Sequence, residues 1–209
     1  VNSNGNTALM IACDYGQHVC TQASIDAGAA VDKADNDGNT ALMNACAFGH
    51  HECAQALLDA GAAVDMVDND GKTALMYTCC EGHLECAQAM IDAGAAVDMV
   101  NNDGLTVLMI ACYSGHHECA QALIEAGAAV DMVNNIGWTA LTITCYSGHH
   151  ECAQALIEAG AAVDMVDNNG WTALMLACDK GHHECARASS GAGAAEDIVN
   201  NSGRTARMY

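Results

Sequence analysis

Cysteine and histidine are the residues of this chain whose types and spacing could do chemistry. Twelve of the thirteen cysteines fall at two positions that return every 33 residues, such as Cys46 and Cys53 in one copy and Cys145 and Cys152 in another. Thiolates and imidazoles bind zinc and other soft metals, and a thiolate is also a nucleophile. Free cysteine can equally serve as a small buried apolar residue. The pattern therefore raises three hypotheses: a metal or redox array, a catalytic pair, or core packing.

The tetrapeptide His-His-Glu-Cys recurs and is the strongest argument for metal binding. Its four copies begin at His50, His116, His149 and His182. On a helix His50 and Cys53 share a face, whereas His51 points elsewhere, and no second Cys-x-x-Cys pair completes a tetrahedral site. The residue types suit a metal and the spacing does not, so a metal or redox array is kept only as an alternative.

Motifs for catalysis are missing from the chain. It contains no phosphate-binding GxxxxGK[ST] sequence and no GxSxG nucleophile elbow. A catalytic site also needs one unique geometry, whereas cysteine and histidine repeat in every copy. We therefore predict a non-enzymatic protein without a cofactor, in which twelve cysteines are buried and reduced. Cys80 lies at a variable position and is predicted to be the most exposed thiol. So many thiols favour a reducing, intracellular compartment.

The charge balance limits the partners. The chain carries 26 acidic residues against 6 lysines and arginines, for a net charge of −20. Nucleic acids and anionic membranes attract basic surfaces, so neither is expected to bind. Membrane insertion is not expected either, because no apolar stretch approaches the roughly 18–20 residues of a membrane span. The chain begins at Val1 and stops soon after a motif restarts, so we expect it to be a segment of a longer protein.

A repeat of 33 residues organises the whole chain. The glycines that mark it are Gly5, Gly38, Gly71, Gly104, Gly137, Gly170 and Gly203. A fixed period of this size is typical of stacked repeat arrays. We expect one array over residues 1–209, with repeats at about 2–34, 35–67, 68–100, 101–133, 134–166 and 167–199 and a partial seventh at 200–209. Proline is absent, which favours a mainly helical chain.

Each repeat predicts a helix, a turn, a second helix and a loop. In the second repeat Thr40 is a suitable cap for the first helix and Gly49 can end it. His50 begins the second helix, and residues 64–71, rich in Asp, Asn and Gly, form an extended turn. The apolar stripe of the second helix consists of Cys53, Ala56, Leu57 and Ala60, at i, i+3, i+4 and i+7.

This unit resembles the ankyrin repeat family over the whole chain. The shared features are the Gly and Thr before the first helix, Leu-x-x-Ala inside it, Gly-His and Glu at the second helix, and a closing Gly-Ala-x-Val. One departure is Thr-Ala-Leu-Met at residues 40–43, where the family has Thr-Pro-Leu-His. The resemblance implies an all-α ankyrin-repeat solenoid of helix–turn–helix units with β-turn tips. It also implies binding of other proteins through the concave face and the tips.

The terminal repeats differ from the middle ones. Thr21 and Ser24 stand where middle repeats have Ala and Leu, which is what polar capping of an array end requires. The stretch from Ser189 to Gly191 is predicted to be a poor helix and loose. Near the end, Glu196 replaces a valine, and Arg207 replaces a leucine that is expected to be buried.

Residues that differ between repeats indicate the binding surface. Seven of the eight aromatic residues lie at variable positions, which the family places on the turn tips and the concave side of the first helix. The candidate partner-binding residues are Phe48, Tyr77, Leu105, Tyr113, Ile136, Trp138, Tyr146 and Trp171. Exposed aromatic rings are typical of binding hot spots.

Repeat spacing further predicts that Leu105, Trp138 and Trp171 form one row, with Tyr113 and Tyr146 in a second row beside it. Such a groove suits an apolar or mildly basic segment of a partner protein. Two other interpretations remain: the rings only cover neighbouring turns, or the array is a structural spacer or assembly scaffold.

Overall fold

Twelve short α-helices in consecutive pairs make up the computed structural model, which describes residues 1–209. The chain divides into two compact units, unit 1 at Val1–Asn102 and unit 2 at Asp103–Tyr209. The helices of unit 1 are α1 Ala8–Asp14, α2 His18–Asp26, α3 Ala41–Ala47, α4 His51–Asp59, α5 Ala74–Glu81 and α6 Leu84–Asp92. Those of unit 2 are α7 Val107–Ser114, α8 His117–Glu125, α9 Ala140–Ser147, α10 His150–Glu158, α11 Ala173–Lys180 and α12 His183–Gly191, followed by a 3₁₀ turn at Ala206–Met208.

Each unit has two layers of helices. In unit 1 the first helices α1, α3 and α5 pack side by side, and the second helices α2, α4 and α6 form the other layer. Unit 2 repeats this arrangement with α7, α9 and α11 in one layer and α8, α10 and α12 in the other. The predicted all-α fold of stacked helix pairs is confirmed. None of the helices has the length and apolar character needed to cross a bilayer.

Local capping explains why each first helix begins where it does. The Thr40 hydroxyl accepts a hydrogen bond from the backbone N–H of Met43 at 3.3 Å, as the sequence predicts. The Met43 sulfur in turn accepts a hydrogen bond from the Thr40 N–H at 3.4 Å. Thr7 and Met10 form the same reciprocal cap in α1. A threonine cap of this kind stabilises a helix by about 1 kcal/mol.

The core lies between the two layers and uses the predicted stripe with one exception. Leu42, Cys53 and Leu57 are buried in unit 1. Ala56 is also buried, but Ala60 is exposed because α4 ends at Asp59 and the chain turns away at Gly61, which has a φ of +81°. The apolar stripe is therefore one residue shorter than predicted.

Three series of hydrogen bonds connect consecutive repeats within each unit, and no periodicity argument predicts them. At the turn tips, Asn69 Nδ2 donates to the Asn36 carbonyl at 3.2 Å. In the loops, the Ala63 N–H donates to Asp32 Oδ1 at 2.8 Å. At the second helices, His50 Nε2 donates to the Asp14 carbonyl at 3.2 Å. Unit 2 forms the same three contacts at positions such as Asn168, Ala162 and His149.

Two of the polar residues that distinguish the terminal repeats lie inside the fold, whereas Ser24 is half-buried. Thr21 and Ser189 are fully buried. The Thr21 hydroxyl contacts the thiols of Cys13 at 3.7 Å and Cys53 at 3.5 Å, and the Ser189 hydroxyl contacts Cys145 Sγ at 3.6 Å. Each buried hydroxyl thus has a cysteine sulfur as its hydrogen-bond partner. The middle repeats bury an alanine or a leucine at these two positions.

The last repeat is more regular than its composition predicts. The expectation of a poor helix after Ala188 is wrong, because α12 continues through Gly191. Burial of Ser189 against Cys145 supplies part of the packing that the missing leucine would provide. The two unusual charges pair with each other: Arg207 Nε lies 2.7 Å from Glu196 Oε2 on the surface. A substitution to Glu and a substitution to Arg, separate in sequence, thus form one ion pair.

Candidate partner-binding surface

Six turn tips are each fixed by the aspartate or asparagine that opens them. Asp167 Oδ1 accepts hydrogen bonds from the backbone N–H groups of Asn169 and Trp171, both at 2.8 Å. The residues that open the other tips in this way are Asn2, Asp35, Asp68, Asn134 and Asn200. A short polar side chain that binds its own backbone two residues ahead holds a turn in one conformation. The variable residue four positions after it is therefore presented from a rigid turn.

Trp138 is held at one edge and open at the other. Its Nε1 donates a hydrogen bond to Asp167 Oδ2 at 3.0 Å, and its ring lies 5.0 Å from the ring of Tyr146. Trp138 is half-buried, whereas Tyr146 is 38% exposed. Lys180 Nζ lies 5.2 Å from the centre of the Tyr146 ring. These four residues form a cluster with both apolar and cationic surface.

A second cluster surrounds Trp171 and contains a residue that the sequence analysis missed. The Trp171 ring lies 5.1 Å from the ring of Tyr209, and Arg204 lies 5.6 Å from that tyrosine ring. Asn200 Nδ2 donates to the Tyr209 hydroxyl at 3.3 Å. Tyr209 stands 132 residues, or four repeats, after Tyr77. The repeat register therefore contained the signal, because both tyrosines occupy the same variable position.

The remaining candidates of unit 2 differ in exposure. Tyr113 is 63% exposed and Ile136 is 51% exposed, while Leu105 is half-buried. Backbone contacts fix two of them, because the Tyr113 carbonyl accepts from His149 Nε2 at 3.1 Å and the Ile136 carbonyl accepts from the Asn168 N–H at 3.3 Å. The structure pairs Trp138 with Tyr146, whereas the two predicted rows of apolar residues stay a prediction.

In unit 1 the two candidates have different surroundings. Phe48 is 58% exposed, and its ring lies 6.3 Å from that of His50. Tyr77 is half-buried, and its hydroxyl donates to Asp68 Oδ2 at 2.6 Å. Burial, together with the neighbouring Asp68 carboxylate, raises the pKa of the Tyr77 phenol well above its usual range. Tyr77 is thus a neutral hydrogen-bond donor with one side of its ring beside Lys72, at 5.9 Å.

Cysteine exposure differs from the prediction in two places. Cys80 is exposed as expected, but Cys20 is exposed too, and Cys178 is only partly buried. Cys20 occupies the position of the buried Cys53, but α2 has a second-layer neighbour, α4, on one side only. Burial raises the pKa of Cys13 to about 12 and that of Cys86 to about 11. Buried thiols of this kind are poor nucleophiles.

The first histidine of the His-His-Glu-Cys motif makes structural contacts with the preceding repeat. His182 Nε2 donates to the Tyr146 carbonyl at 3.1 Å, and its ring lies against Gly148. A Cβ atom at Gly148 would stand 2.6 Å from His182 Nδ1, so this close approach requires glycine. The second histidine of the motif is exposed at His117, where Nδ1 lies 3.7 Å from Glu151 Oε2. The structure brings together no group of three or more histidine, cysteine or acidic side chains that could hold a metal ion.

Comparisons with known proteins agree with this arrangement of helix pairs and tips. The sequence model of a family described as "Ankyrin repeats (3 copies)" matches residues 1–68, 60–134 and 126–194. The human ASB11 ankyrin repeat domain superposes with a TM-score of 0.87 at 27% identity, covering 96% of this chain and 90% of that one. The ankyrin repeat domain of Bcl-3, a member of the IkappaB protein family, gives a TM-score of 0.87 at 27% identity and covers 99% of this chain and 94% of its own. A comparison with curated protein sequences gives no match.

Proposed function

Because the chain belongs to the ankyrin repeat family, whose domains are protein-interaction modules, we propose that it binds a partner protein without catalysis. The contact surface consists of the turn tips and the exposed faces of the first helices. Its residues are Phe48, Tyr77, Leu105, Tyr113, Ile136, Trp138, Tyr146 and Trp171, to which Tyr209 is added from its contact with Trp171.

The observation that carries this proposal is that the repeats differ where aromatic rings reach the surface. Residues 115–133 and 148–166, which contain the second helices of two consecutive repeats, are identical in sequence. The tip residue before the first helix of these repeats nevertheless changes from Leu105 to Trp138. Trp138 and Tyr146 present a joined ring surface that is held by Asp167. Rings that are fixed before binding lose little conformational entropy when a partner covers them. Aromatic anchors of this kind commonly dominate binding energy.

The surroundings of the rings indicate the chemistry of the partner. Lys180 and Arg204 lie beside Tyr146 and Tyr209, but Lys180 Nζ already pairs with Asp179 Oδ2 at 3.0 Å, so it is chiefly Arg204 that adds positive charge at the rings. Charge complementarity with the acidic tips favours a mildly basic segment, whereas Arg204 lowers this preference beside Tyr209. We therefore infer that the partner contributes apolar side chains to the rings and at most a few basic residues to the rim.

Alanine substitution of the rings tests the proposal. Trp138→Ala and Tyr146→Ala are each expected to weaken binding of a partner isolated with the intact chain by about tenfold or more, or about 1.4 kcal/mol. Asn6→Ala is the matched control, because Asn6 occupies the repeat position of Trp138 and should leave the dissociation constant unchanged. Circular dichroism verifies that the variants stay helical. A partner that binds equally well after loss of both rings would instead support the spacer or scaffold interpretation.

A further inference from the structure

The second helices of unit 2 form a surface groove of about 780 Å³ that the proposed function does not use. Its lining comes from α8, α10 and α12, whereas the aromatic clusters lie on the tips and first helices. The groove falls within the size range of roughly 300–1,000 Å³ that is typical of ligand-binding clefts. It stands independently of the proposed function, because the two surfaces share none of their residues.

The groove is open beside α12 at a position where the sixth repeat lacks a large side chain. Gly191 of α12, which lines the groove, occupies the position of Glu158 in α10. The backbone does not need glycine at this position, since Gly191 lies within the helix and its φ is not in the left-handed region. A Cβ atom added at Gly191 would meet no other atom within 4 Å. The open space therefore comes from the choice of residues and not from a constraint of the fold.

Carboxylates are the most numerous charged groups along the groove. Glu151, Glu158 and Glu184 line it, and Arg187 is the one residue of permanent positive charge among the lining residues. Arg187 is already paired with Glu184. That pairing leaves two carboxylates in excess, at Glu151 and Glu158.

The two carboxylates in excess have weak local partners. His117 Nδ1 lies 3.7 Å from Glu151 Oε2, which is beyond hydrogen-bond distance. Glu158 Oε1 accepts a hydrogen bond at 2.7 Å from the neutral amide of Gln154. Apolar surface lies between these charges, contributed by Ala155, Ile157, Ala188 and Ala192. A ligand with cationic and small apolar groups would satisfy both features.

We propose that this groove binds a peptide segment of another protein in which lysine or arginine side chains alternate with small apolar ones. The cations pair with Glu151 and Glu158, and the apolar side chains cover Ile157 and the alanines. The net charge of −20 of the whole chain accelerates the encounter with a cationic segment. The chain would then hold two partners, one on the aromatic surface and one on the second helices.

A synthetic peptide tests the groove without knowledge of the natural partner. The probe is a fluorescein-labelled peptide of lysine, alanine and leucine, with the same peptide carrying glutamate in place of lysine as reference, and binding is measured by fluorescence anisotropy at physiological ionic strength. Glu158→Lys reverses a groove charge. Its matched control is Glu125→Lys, since Glu125 has the same repeat position and the same glutamine contact, at 2.8 Å, but does not line the groove. Gly191→Leu fills the open space and favours the helix.

The expected results differ between these variants. The lysine peptide binds the intact chain and its glutamate counterpart does not. Glu158→Lys and Gly191→Leu each weaken binding by about tenfold, whereas Glu125→Lys changes it by less than about twofold. Tyr146→Ala leaves peptide binding intact. The proposal for the groove can therefore be tested separately from the proposal for the aromatic surface. Equal losses with Glu125→Lys and Glu158→Lys, unchanged binding with Gly191→Leu, or no preference for the lysine peptide would each overturn the proposal.

Discussion

At the scale of single residues, a carboxylate with two separate tasks determines how Trp138 is presented. Asp167 uses Oδ1 for the backbone of its own turn and Oδ2 for the indole N–H of the preceding repeat. The tips at Asn134 and Asn200 show that asparagine accepts the same two backbone hydrogen bonds. An asparagine amide can accept with its oxygen only, so it cannot serve the turn and the indole together. The aspartate is therefore needed for the tryptophan and not for the turn.

Asp167→Asn should free the Trp138 ring while the turn remains. We expect a loss of about 1 kcal/mol in the free energy of unfolding, and an emission shift of Trp138 to longer wavelength in a Trp171→Phe background. Asp35→Asn is the matched control, because Asp35 opens its turn in the same way but accepts no indole bond. Equal losses of stability in both variants would show that the Trp138 hydrogen bond contributes nothing.

Thiol reactivity should follow exposure rather than repeat position. Cys20 and Cys80 are exposed and should react within the fast phase of a titration of the folded protein, with Cys178 slower. The buried cysteines should react after denaturation. Cys20→Ser should remove one fast equivalent, whereas Cys46→Ser should remove none, because Cys46 is fully buried. A fast phase of one thiol would support the simpler expectation from sequence, in which Cys80 alone is accessible.

At the scale of helices, the two glycines near the end of α12 have opposite roles. Gly191 is helical and has open space around it, whereas Gly193 has a φ of +88°. Glycine lowers helix stability by roughly 0.8–1 kcal/mol relative to alanine, but it is the residue that adopts a positive φ without strain. The first glycine therefore weakens the helix, and the second one ends it.

Alanine substitutions should separate these roles. Gly191→Ala is expected to raise the free energy of unfolding by about 0.5–1 kcal/mol, and Gly193→Ala to lower it by about 1–2 kcal/mol. Both values come from urea unfolding curves with the intact chain as reference. Stabilisation by Gly193→Ala, or a loss with Gly191→Ala, would contradict the assignment of α12 as a regular helix through residue 191.

At the scale of the whole molecule, the buried thiols connect stability to pH. The pKa of Cys13 is raised to about 12 and that of Cys86 to about 11, whereas a thiol in an unfolded chain ionises near pH 8.5. Because the folded pKa is the higher one, the unfolded state releases its protons first. The stabilisation is complete below about pH 8.5 and is lost as the pH rises toward the folded pKa.

Urea unfolding at about pH 7.5 and about pH 10 should therefore show a lower free energy of unfolding at the higher pH, by at most about 1.4 kcal/mol per thiol and pH unit. A Cys13→Ala/Cys86→Ala variant should show a smaller decrease, even if it is less stable at neutral pH. If the variant and the intact chain lose the same amount, groups other than these thiols cause the alkaline destabilisation.

Sequence reasoning predicts those parts of the molecule that depend on neighbours a few residues away. Thr40 caps α3 by a hydrogen bond to Met43, three residues ahead, and the glycine after each helix ends it through its own backbone conformation. Both features can therefore be predicted from the sequence of a single repeat. The exposure of Cys20 depends on the number of helices that surround α2, and this number cannot be predicted from the type of residue at position 20. The pairing of Glu196 with Arg207 and the contact of Trp171 with Tyr209 likewise depend on tertiary position. Variation between repeats predicts the candidate binding residues, but it does not predict the Asp167 carboxylate that holds Trp138.

The three series of hydrogen bonds that connect consecutive repeats join residues 31 to 36 positions apart, as in Ala63 with Asp32, Asn69 with Asn36 and His50 with Asp14. Each 33-residue segment thus carries donors for one neighbour and acceptors for the other. A duplication or deletion of one whole segment leaves every remaining donor opposite an equivalent acceptor. Copy number is therefore a property that heredity can alter in a single event, without the slow refinement that a new interface would require. The identical stretches at 115–133 and 148–166 are the mark that such an event would leave.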